Sequence, residues 1–208
     1  FFSGGLSIHN SNIVNISNSE IINSNRDDGV NIKNSFAMLF NNKFYNNKFD
    51  ALDLDFVNGY IINNIFTNDN KKNILINPID KNDIKDRIEY LKLNKAGDAI
   101  DLSGSNIIIY SNLIENFIDK GMSIGENTLT YVINNNLKNN FSAIAVKDSS
   151  KAHLIENNIS ENSINLNMFI KKNFFKSPHV YFYIQNDCLN RHKNLGMAYP
   201  LLFFQKQN

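Results

Sequence analysis

Residues 97–105 read Gly-Asp-Ala-Ile-Asp-Leu-Ser-Gly-Ser, a short alternation of apolar and polar residues. Similar strings return along the chain, and their central apolar residue recurs at a fixed spacing. The markers Ile8, Val30 and Leu52 are 22 residues apart, as are Ile100, Met122, Ile144 and Leu166, and Leu52 and Ile100 are 48 apart, which is 22 plus 26. A 22-residue repeat is too short for two packed helices. It lies in the range of leucine-rich repeats and of β-helix coils.

Each marker lies in a stretch of period 2, which predicts a short strand. Residues suited to turns, mainly Asn, Ser and Gly, separate these stretches. A second signal, Asn-x-apolar, follows five of the seven markers by 12 or 13 residues, at Asn42, Asn64, Asn112, Asn135 and Asn157. The leucine-rich signature is absent. The sequence therefore predicts an all-β fold, a right-handed parallel β-helix with coils of about 22 residues, in which these Asn side chains form an inward ladder between coils.

Composition narrows the function classes. The chain has 208 residues, a net charge of +1 and a single Cys, which excludes a strongly basic nucleic-acid binder and a disulfide framework. No apolar run is long enough to span a bilayer. Asn occurs 40 times, but an AT-rich genome would also favour Asn, so the positions of these residues are more informative than their number.

Six strings in this order resemble successive coils of bacterial right-handed parallel β-helix proteins of the pectate-lyase-like superfamily. They are residues 2–6, 27–32, 50–56, 97–105, 119–126 and 146–150, and the resemblance covers about residues 2–172. It implies the fold and an extracellular or cell-surface location. The subgroup that the chain resembles most is functionally uncharacterised, so the resemblance implies no catalytic residues.

The 26 surplus residues between the third and fourth markers predict an excursion over residues 70–95. Pro78 is suited to a helix start, and Ile84, Ile88 and Leu91 recur at helical spacing. The alternative is an irregular coil with a strand at 90–93.

The domain prediction is therefore a β-helix over residues 1–172, followed by a C-terminal strand and cap over 173–208, because a solenoid needs its open end covered. A start without Met, already inside a coil-like pattern, predicts that the chain is part of a longer polypeptide.

Candidate site residues lie directly after the markers, on the outward side of the marker strands. The predicted outward column is His9, Asn31, Asp53, Asp101, Ser123, Ala145 and Asn167. Acidic residues concentrate in the third and fourth coils, where Asp50, Asp53, Asp55, Asp98 and Asp101 form the predicted ligand-binding cluster. If the excursion leaves the coil stack, Asp53 and Asp101 are neighbours at ~4.8 Å.

Three interpretations of this cluster stay open. Crowded carboxylates hold a proton or a cation between them, and oxygen ligands suit Ca²⁺, which Asp53, Asp55 and Asp101 would bind. A protonated acid beside a carboxylate is also what glycoside hydrolysis needs, with Asp53 and Asp101 as the candidates and Lys33 as an alternative, lyase-type base. In the structural interpretation, the Asp side chains accept hydrogen bonds from backbone N–H groups at the turns.

The functional expectation is a surface or secreted β-helix module that interacts with a polysaccharide or surface glycan. It needs no nucleic acid and no membrane span, and Ca²⁺ is the one cofactor that the acidic cluster suggests. The alternatives are a polysaccharide lyase or hydrolase that uses the Asp cluster, and a purely structural or adhesive rod.

Overall fold

The computed structural model describes residues 4–68 and 97–183. Within these residues the chain forms twenty β-strands and no helix. Every strand pairs in parallel with the equivalent strand of the next coil, and the strands form three sheets that run the length of a solenoid. The sheets hold six complete coils and a seventh strand in each of two sheets. The predicted all-β parallel β-helix is therefore confirmed.

The three sheets are named in the order in which each coil visits them. Sheet 1 contains β1 (Gly4–His9), β4 (Asp28–Lys33), β7 (Asp50–Asp55), β10 (Ile100–Ser103), β13 (Lys120–Gly125), β16 (Ser142–Lys147) and β19 (Ile164–Phe169). Sheet 2 contains β2 (Val14–Ser17), β5 (Phe36–Phe40), β8 (Asn58–Ile62), β11 (Asn106–Tyr110), β14 (Leu129–Ile133), β17 (Lys151–Ile155) and β20 (His179–Tyr183). Sheet 3 contains β3 (Glu20–Ile22), β6 (Lys43–Tyr45), β9 (Ile65–Thr67), β12 (Leu113–Glu115), β15 (Asn136–Lys138) and β18 (Asn158–Ser160).

The surplus residues do not separate the third and fourth coils. β7 and β10 are hydrogen-bonded neighbours, and Leu52 is the Cα partner of Ile100 across a 48-residue gap. Sheets 2 and 3 bridge the same gap, since Gly59 pairs with Ile107 and Phe66 with Ile114. The predicted adjacency of these coils is confirmed. The helix predicted over 70–95 lies outside the described residues.

Alternation along each strand places one apolar set inside the solenoid. The marker residues Val30, Leu52, Ile100 and Met122 have no exposed surface. Stacking continues between coils, and the rings of Phe44 and Phe66 in sheet 3 are stacked with centroids 4.5 Å apart. Each coil is too small to enclose a core alone, so its neighbours exclude water from its ends.

The predicted Asn ladder lies at the turn between sheets 2 and 3. The side chain of Asn112 donates to the backbone carbonyls of Ile61 and Tyr110 at 2.9 and 3.1 Å, and its Oδ1 accepts the backbone N–H of Asn64 at 2.8 Å. Asn135 accepts the N–H of Asn112 in the same way. These contacts confirm the predicted role of Asn112 and its ladder neighbours.

A second amide ladder, at the turn between sheets 3 and 1, was not predicted. The Oδ1 atom of Asn140 accepts the N–H of Phe117 at 3.1 Å, and Asn162 accepts the N–H of Asn140 at 2.9 Å. Asn47 does the same for Ser24. These residues repeat at the coil period, so the periodic pattern could have shown them, but the surrounding Asn-rich composition hides them.

The C-terminal end of the described solenoid extends beyond the predicted boundary at residue 172. The strand predicted in the cap is present as β20, and it pairs with β17 as a further strand of sheet 2. The rest of the predicted cap, residues 184–208, lies outside the described residues.

Candidate functional site

The outward face of sheet 1 brings the predicted acidic residues together. Asp53 and Asp101 are Cα partners on neighbouring strands, as predicted, and Ser123 follows in the next coil. Asp55 lies two residues further along β7 and pairs with Ser103. We call this surface the sheet-1 face. It consists of Asp53, Asp55, Asp101, Ser103 and Ser123, together with Lys33, Lys147 and Phe56.

The predicted outward column is wrong in the first coil. Leu6, not Ile8, is the partner of Val30, because the first coil is two residues longer than the others. His9 is therefore the partner of Lys33 and lies outside the Asp53 column. The spacing of 22 residues selected Ile8 as the first marker instead of Leu6. Both residues lie on the same side of β1, so either one fits the apolar pattern.

Two of the predicted ligand residues have structural hydrogen bonds. Asp50 Oδ1 accepts the backbone N–H of Asp98 at 2.6 Å, and Asp98 Oδ1 accepts the N–H of Lys120 at 3.0 Å. The Lys120 ammonium lies 3.2 Å from the Asp98 carboxylate and 2.7 Å from that of Asp119. Burial raises the pKa of Asp50 well above its usual value, and it raises that of Asp98 to about 7 although Lys120 opposes the shift. The structural interpretation fits this inner pair.

Asp53 has a different environment. Asn31 donates from Nδ2 to Asp53 Oδ2 at 2.6 Å, and His9 Nε2 lies 2.7 Å from the Asn31 oxygen, so these side chains form a chain across three coils. Burial raises the pKa of Asp53 to about 8, and repulsion from neighbouring carboxylates, first that of Asp55, adds to the shift. A neutral Asp53 carboxyl group can donate one hydrogen bond and accept others.

Asp101 lies between Asp53 and a buried lysine. Lys147 extends back over two coils, and its ammonium donates to Ser123 Oγ at 2.7 Å and lies 3.9 Å from Asp101 Oδ1. That separation is an ion pair but is too long for a hydrogen bond, and Asp101 Oδ1 is a buried oxygen with no hydrogen-bond partner in the structure. Gly125 leaves room for the lysine, because a Cβ there would lie 2.5 Å from Lys147 Cε.

Lys33 is paired rather than free to act as a base. Its ammonium lies 3.2 Å from Asp55 Oδ2, which fits an ion pair at the edge of the face better than a lyase-type base. The same ammonium lies 5.8 Å from the ring centroid of Phe56, within cation–π range. Lys33 therefore joins the acidic cluster to an aromatic neighbour, and its role as a base stays a prediction from sequence.

From the sequence, Phe56 lies at a turn or strand edge and is either an outward aromatic residue for sugar stacking or part of the core; in the structure it is exposed. It is 53% exposed and has a φ of 55°, a left-handed conformation that is unfavourable for a bulky residue. The equivalent turn position after five of the six other sheet-1 strands carries Asn10, Asn34, Gly104, Glu126 and Asp148. Among the described residues with positive φ, Phe56 is the one apolar side chain. Aligning the coils would have shown that Phe replaces a polar residue or Gly at this position.

The neighbouring coil accommodates the Phe56 ring. A Cβ at Gly104 would lie 2.7 Å from two ring carbons of Phe56. Phe56 therefore lies against the next coil at the same edge of the face as Asp55, with half of its surface in solvent. The positive φ belongs to the coil turn, since the equivalent residues share it. An exposed apolar ring that strains this turn is not needed for coil stacking, and it marks a functional candidate.

The described residues give no support to the hypothesis that the acidic cluster binds Ca²⁺. Across residues 4–68 and 97–183, no group of three or more His, Cys, Asp or Glu side chains has an arrangement that could hold a metal ion. Each of Asp55, Asp98 and Asp101 has a lysine ammonium within ion-pair distance. Ca²⁺ binding by Asp53, Asp55 and Asp101 stays a prediction from sequence.

Comparison with protein families identifies the class of protein. Residues 4–174 match the family described as the right-handed β-helix region. The match covers most of the chain, so the protein belongs to the right-handed β-helix family. A comparison with curated proteins gives no match. In the described part of the chain, no helix has the length and apolar character needed to cross a membrane.

Proposed function

We propose that the sheet-1 face binds a glycan chain, and that Phe56 is its stacking platform. The supporting observation is the exposed ring of Phe56, held in an unfavourable backbone conformation at the edge of the acidic cluster. An aromatic ring presents a flat apolar surface to a sugar ring, and carboxyl, hydroxyl and ammonium groups bond sugar hydroxyls. A glycan-binding rod of this kind would act outside the cell or on its surface.

The charges of the face favour a neutral glycan over an acidic one. Asp53 is mainly neutral at pH 7 because its pKa is about 8. The carboxylates of Asp55 and Asp101 each have a lysine partner. A neutral sugar therefore meets a face of nearly balanced charge, whereas a polyuronate would have to compete with the protein's own carboxylates for these lysines.

The test is a glycan array with neutral and acidic glycans, with and without Ca²⁺, followed by calorimetric titration of the best ligand. Phe56→Asn should weaken binding at least tenfold, because it removes the ring and keeps a residue suited to positive φ. The matched control is Tyr45→Asn, which removes a half-buried aromatic ring from the outer face of sheet 3 and should leave affinity unchanged. Equal affinity of Phe56→Asn and the wild type would exclude the proposal.

A second candidate function is glycoside hydrolysis. It is supported by one observation, the neighbouring Asp53 and Asp101, of which Asp53 has a pKa of about 8. In that chemistry Asp53 protonates the leaving oxygen and Asp101 acts as the carboxylate partner. Strand spacing of ~4.8 Å is close to the ~5–5.5 Å separation of carboxyl groups in retaining enzymes.

Release of reducing ends from the bound glycan tests this second function. Asp53→Asn and Asp101→Asn should each abolish release if the pair is catalytic, and Asp98→Asn serves as the control because Asp98 hydrogen-bonds a turn instead. A bound glycan that the wild-type protein leaves intact over days restricts the face to binding.

A further inference from the structure

The outer face of sheet 2 is apolar along almost its whole length. Outward residues of the strands form three columns that run perpendicular to the strands. The first column is Asn15, Met38, Tyr60, Ile108, Tyr131, His153 and Tyr181, and the second is Ser17, Phe40, Ile62, Tyr110, Ile133, Ile155 and Tyr183. Neither of these columns contains Asp, Glu, Lys or Arg. The third column, at the strand starts from the second coil onwards, is Phe36, Asn58, Asn106, Leu129, Lys151 and His179, and Lys151 is its one Lys, Arg, Asp or Glu. This set is called the sheet-2 face.

Contacts between coils order these side chains into a flat surface. The rings of Tyr131 and His153 are stacked with centroids 4.6 Å apart, and His153 and Tyr181 continue the stack at 4.7 Å. Phe36, at the start of β5, meets Tyr60 edge to face. In the central coils the columns are half-exposed, as Met38, Tyr60, Ile108 and Tyr110 all are.

The other two faces of the solenoid have the opposite character. The sheet-1 face carries the carboxylates and lysines described above. On the sheet-3 face Lys138 pairs with Glu115 at 3.1 Å, and Lys43 lies over the ring of Tyr45. Charged residues on an outward column oppose close packing of like faces. Among the three described faces, the sheet-2 face can be covered with the least burial of charge, because Lys151 lies in its edge column.

The area of the face meets the requirement of a dimer. Seven strands spaced at ~4.8 Å and five residues at ~3.3 Å give a surface of about 550 Å². Two copies packed face to face would bury about 1,100 Å², which is at the lower end of specific interfaces.

We propose that the sheet-2 face is a dimerisation surface and that its occupant is the same face of a second copy of this chain. A surface whose two main columns carry no charge is complementary to itself, and a two-fold axis would place the same residues on both sides of the interface. Two β-sheets packed in this way are separated by ~10 Å, with their side chains between them. The absence of charge from the two columns argues against an anionic partner such as nucleic acid, which requires basic residues. This inference goes beyond glycan binding, since it concerns a different face.

Sedimentation velocity of the full chain over a concentration series tests the proposal. We expect a reversible dimer with a dissociation constant on the order of micromolar, as suits an interface of this size. Ile108→Lys places a charge at the centre of the face and should weaken dimerisation at least tenfold. Leu113→Lys is the matched control, because Leu113 is a half-exposed outward residue on sheet 3 of the same coil, and it should dimerise like the wild type.

Circular dichroism of both variants establishes that they fold, so a loss of dimer is read as a loss of interface. Three outcomes overturn the proposal: a wild-type protein that is monomeric at 200 μM, a dimer that survives Ile108→Lys, or a dimer lost equally in both variants. In the monomeric case, acrylamide quenching of tyrosine fluorescence would report whether other residues of the chain cover the face, which would replace the second copy as the occupant.

Discussion

Replacing Asn112 by Ala tests how much of the solenoid's stability comes from the inward amide ladder. Asn112 is 2% exposed, and its side chain serves both neighbouring coils. Its loss leaves the buried N–H of Asn64 without the Oδ1 acceptor at 2.8 Å, which costs about 1–3 kcal/mol. The carbonyl oxygens of Ile61 and Tyr110 each lose a donor as well. We therefore expect the free energy of unfolding to fall by about 2–4 kcal/mol.

Equilibrium unfolding in urea, followed by far-ultraviolet circular dichroism, measures this loss because the chain has no Trp to report by fluorescence. Asn106→Ala is the matched control. Asn106 is exposed on β11 of the same coil, and its side-chain amide donates to the side chain of Asn58 rather than to a buried backbone group, so its change should remain below about 0.5 kcal/mol. A loss below about 0.5 kcal/mol for Asn112→Ala, at an unchanged denaturant slope, would refute the ladder argument.

Phe56→Asn should raise the free energy of unfolding by about 1 kcal/mol, because Asn tolerates positive φ better than Phe, even as it weakens glycan binding; a destabilised variant in urea unfolding would contradict this. The free energy of unfolding should fall as pH rises from about 4 to 8. In this range Asp53 and Asp98 keep their protons in the folded state, with pKa values of about 8 and 7, whereas the unfolded chain has already lost them. Thermal melts across this range should show a smaller fall for Asp53→Asn than for the wild type, and a flat profile in the wild type would exclude the raised pKa values. Gly59→Ala should prevent normal folding, because a Cβ there would lie 1.8 Å from the Ala37 carbonyl oxygen; a wild-type circular dichroism spectrum and melting temperature would show that the backbone can adjust.

The sequence was sufficient to predict the stacking of Asp53 on Asp101. Two runs of markers spaced by 22 residues gave the period, and the prediction was conditional on the 26 surplus residues forming no coil of their own between the two runs. The pairing of β7 with β10 meets this condition. The same logic was insufficient in the first coil. There one strand offers two inward apolar residues, Leu6 and Ile8, and spacing alone does not distinguish them.

The lysine partners could not be predicted in the same way. Lys147 lies two coils from Asp101, and it reaches back because Ser123 accepts its ammonium and Gly125 has no side chain to obstruct it. A repeat period assigns each residue to a column and a coil, but the direction in which a long flexible side chain extends depends on the size of its neighbours. The sequence therefore predicted where the carboxylates lie, but it did not predict that a lysine ammonium lies beside Asp101.

The structural interpretation of the acidic cluster applies to part of it, and position within the coil decides which residues it covers. At the turn before sheet 1, Asp50 and Asp98 accept backbone N–H groups of the next coil, so they perform the same task as the Asn ladders. Three residues later the side chains lie on the outer side of sheet 1, where Asn31 hydrogen-bonds Asp53 and Lys147 hydrogen-bonds Ser123 between coils. Asp53 and Asp101, which the coil register holds side by side, lie near an exposed ring at a turn that carries polar residues or Gly in five other coils. That coincidence at one edge of sheet 1 is the reason to search for the protein's ligand there.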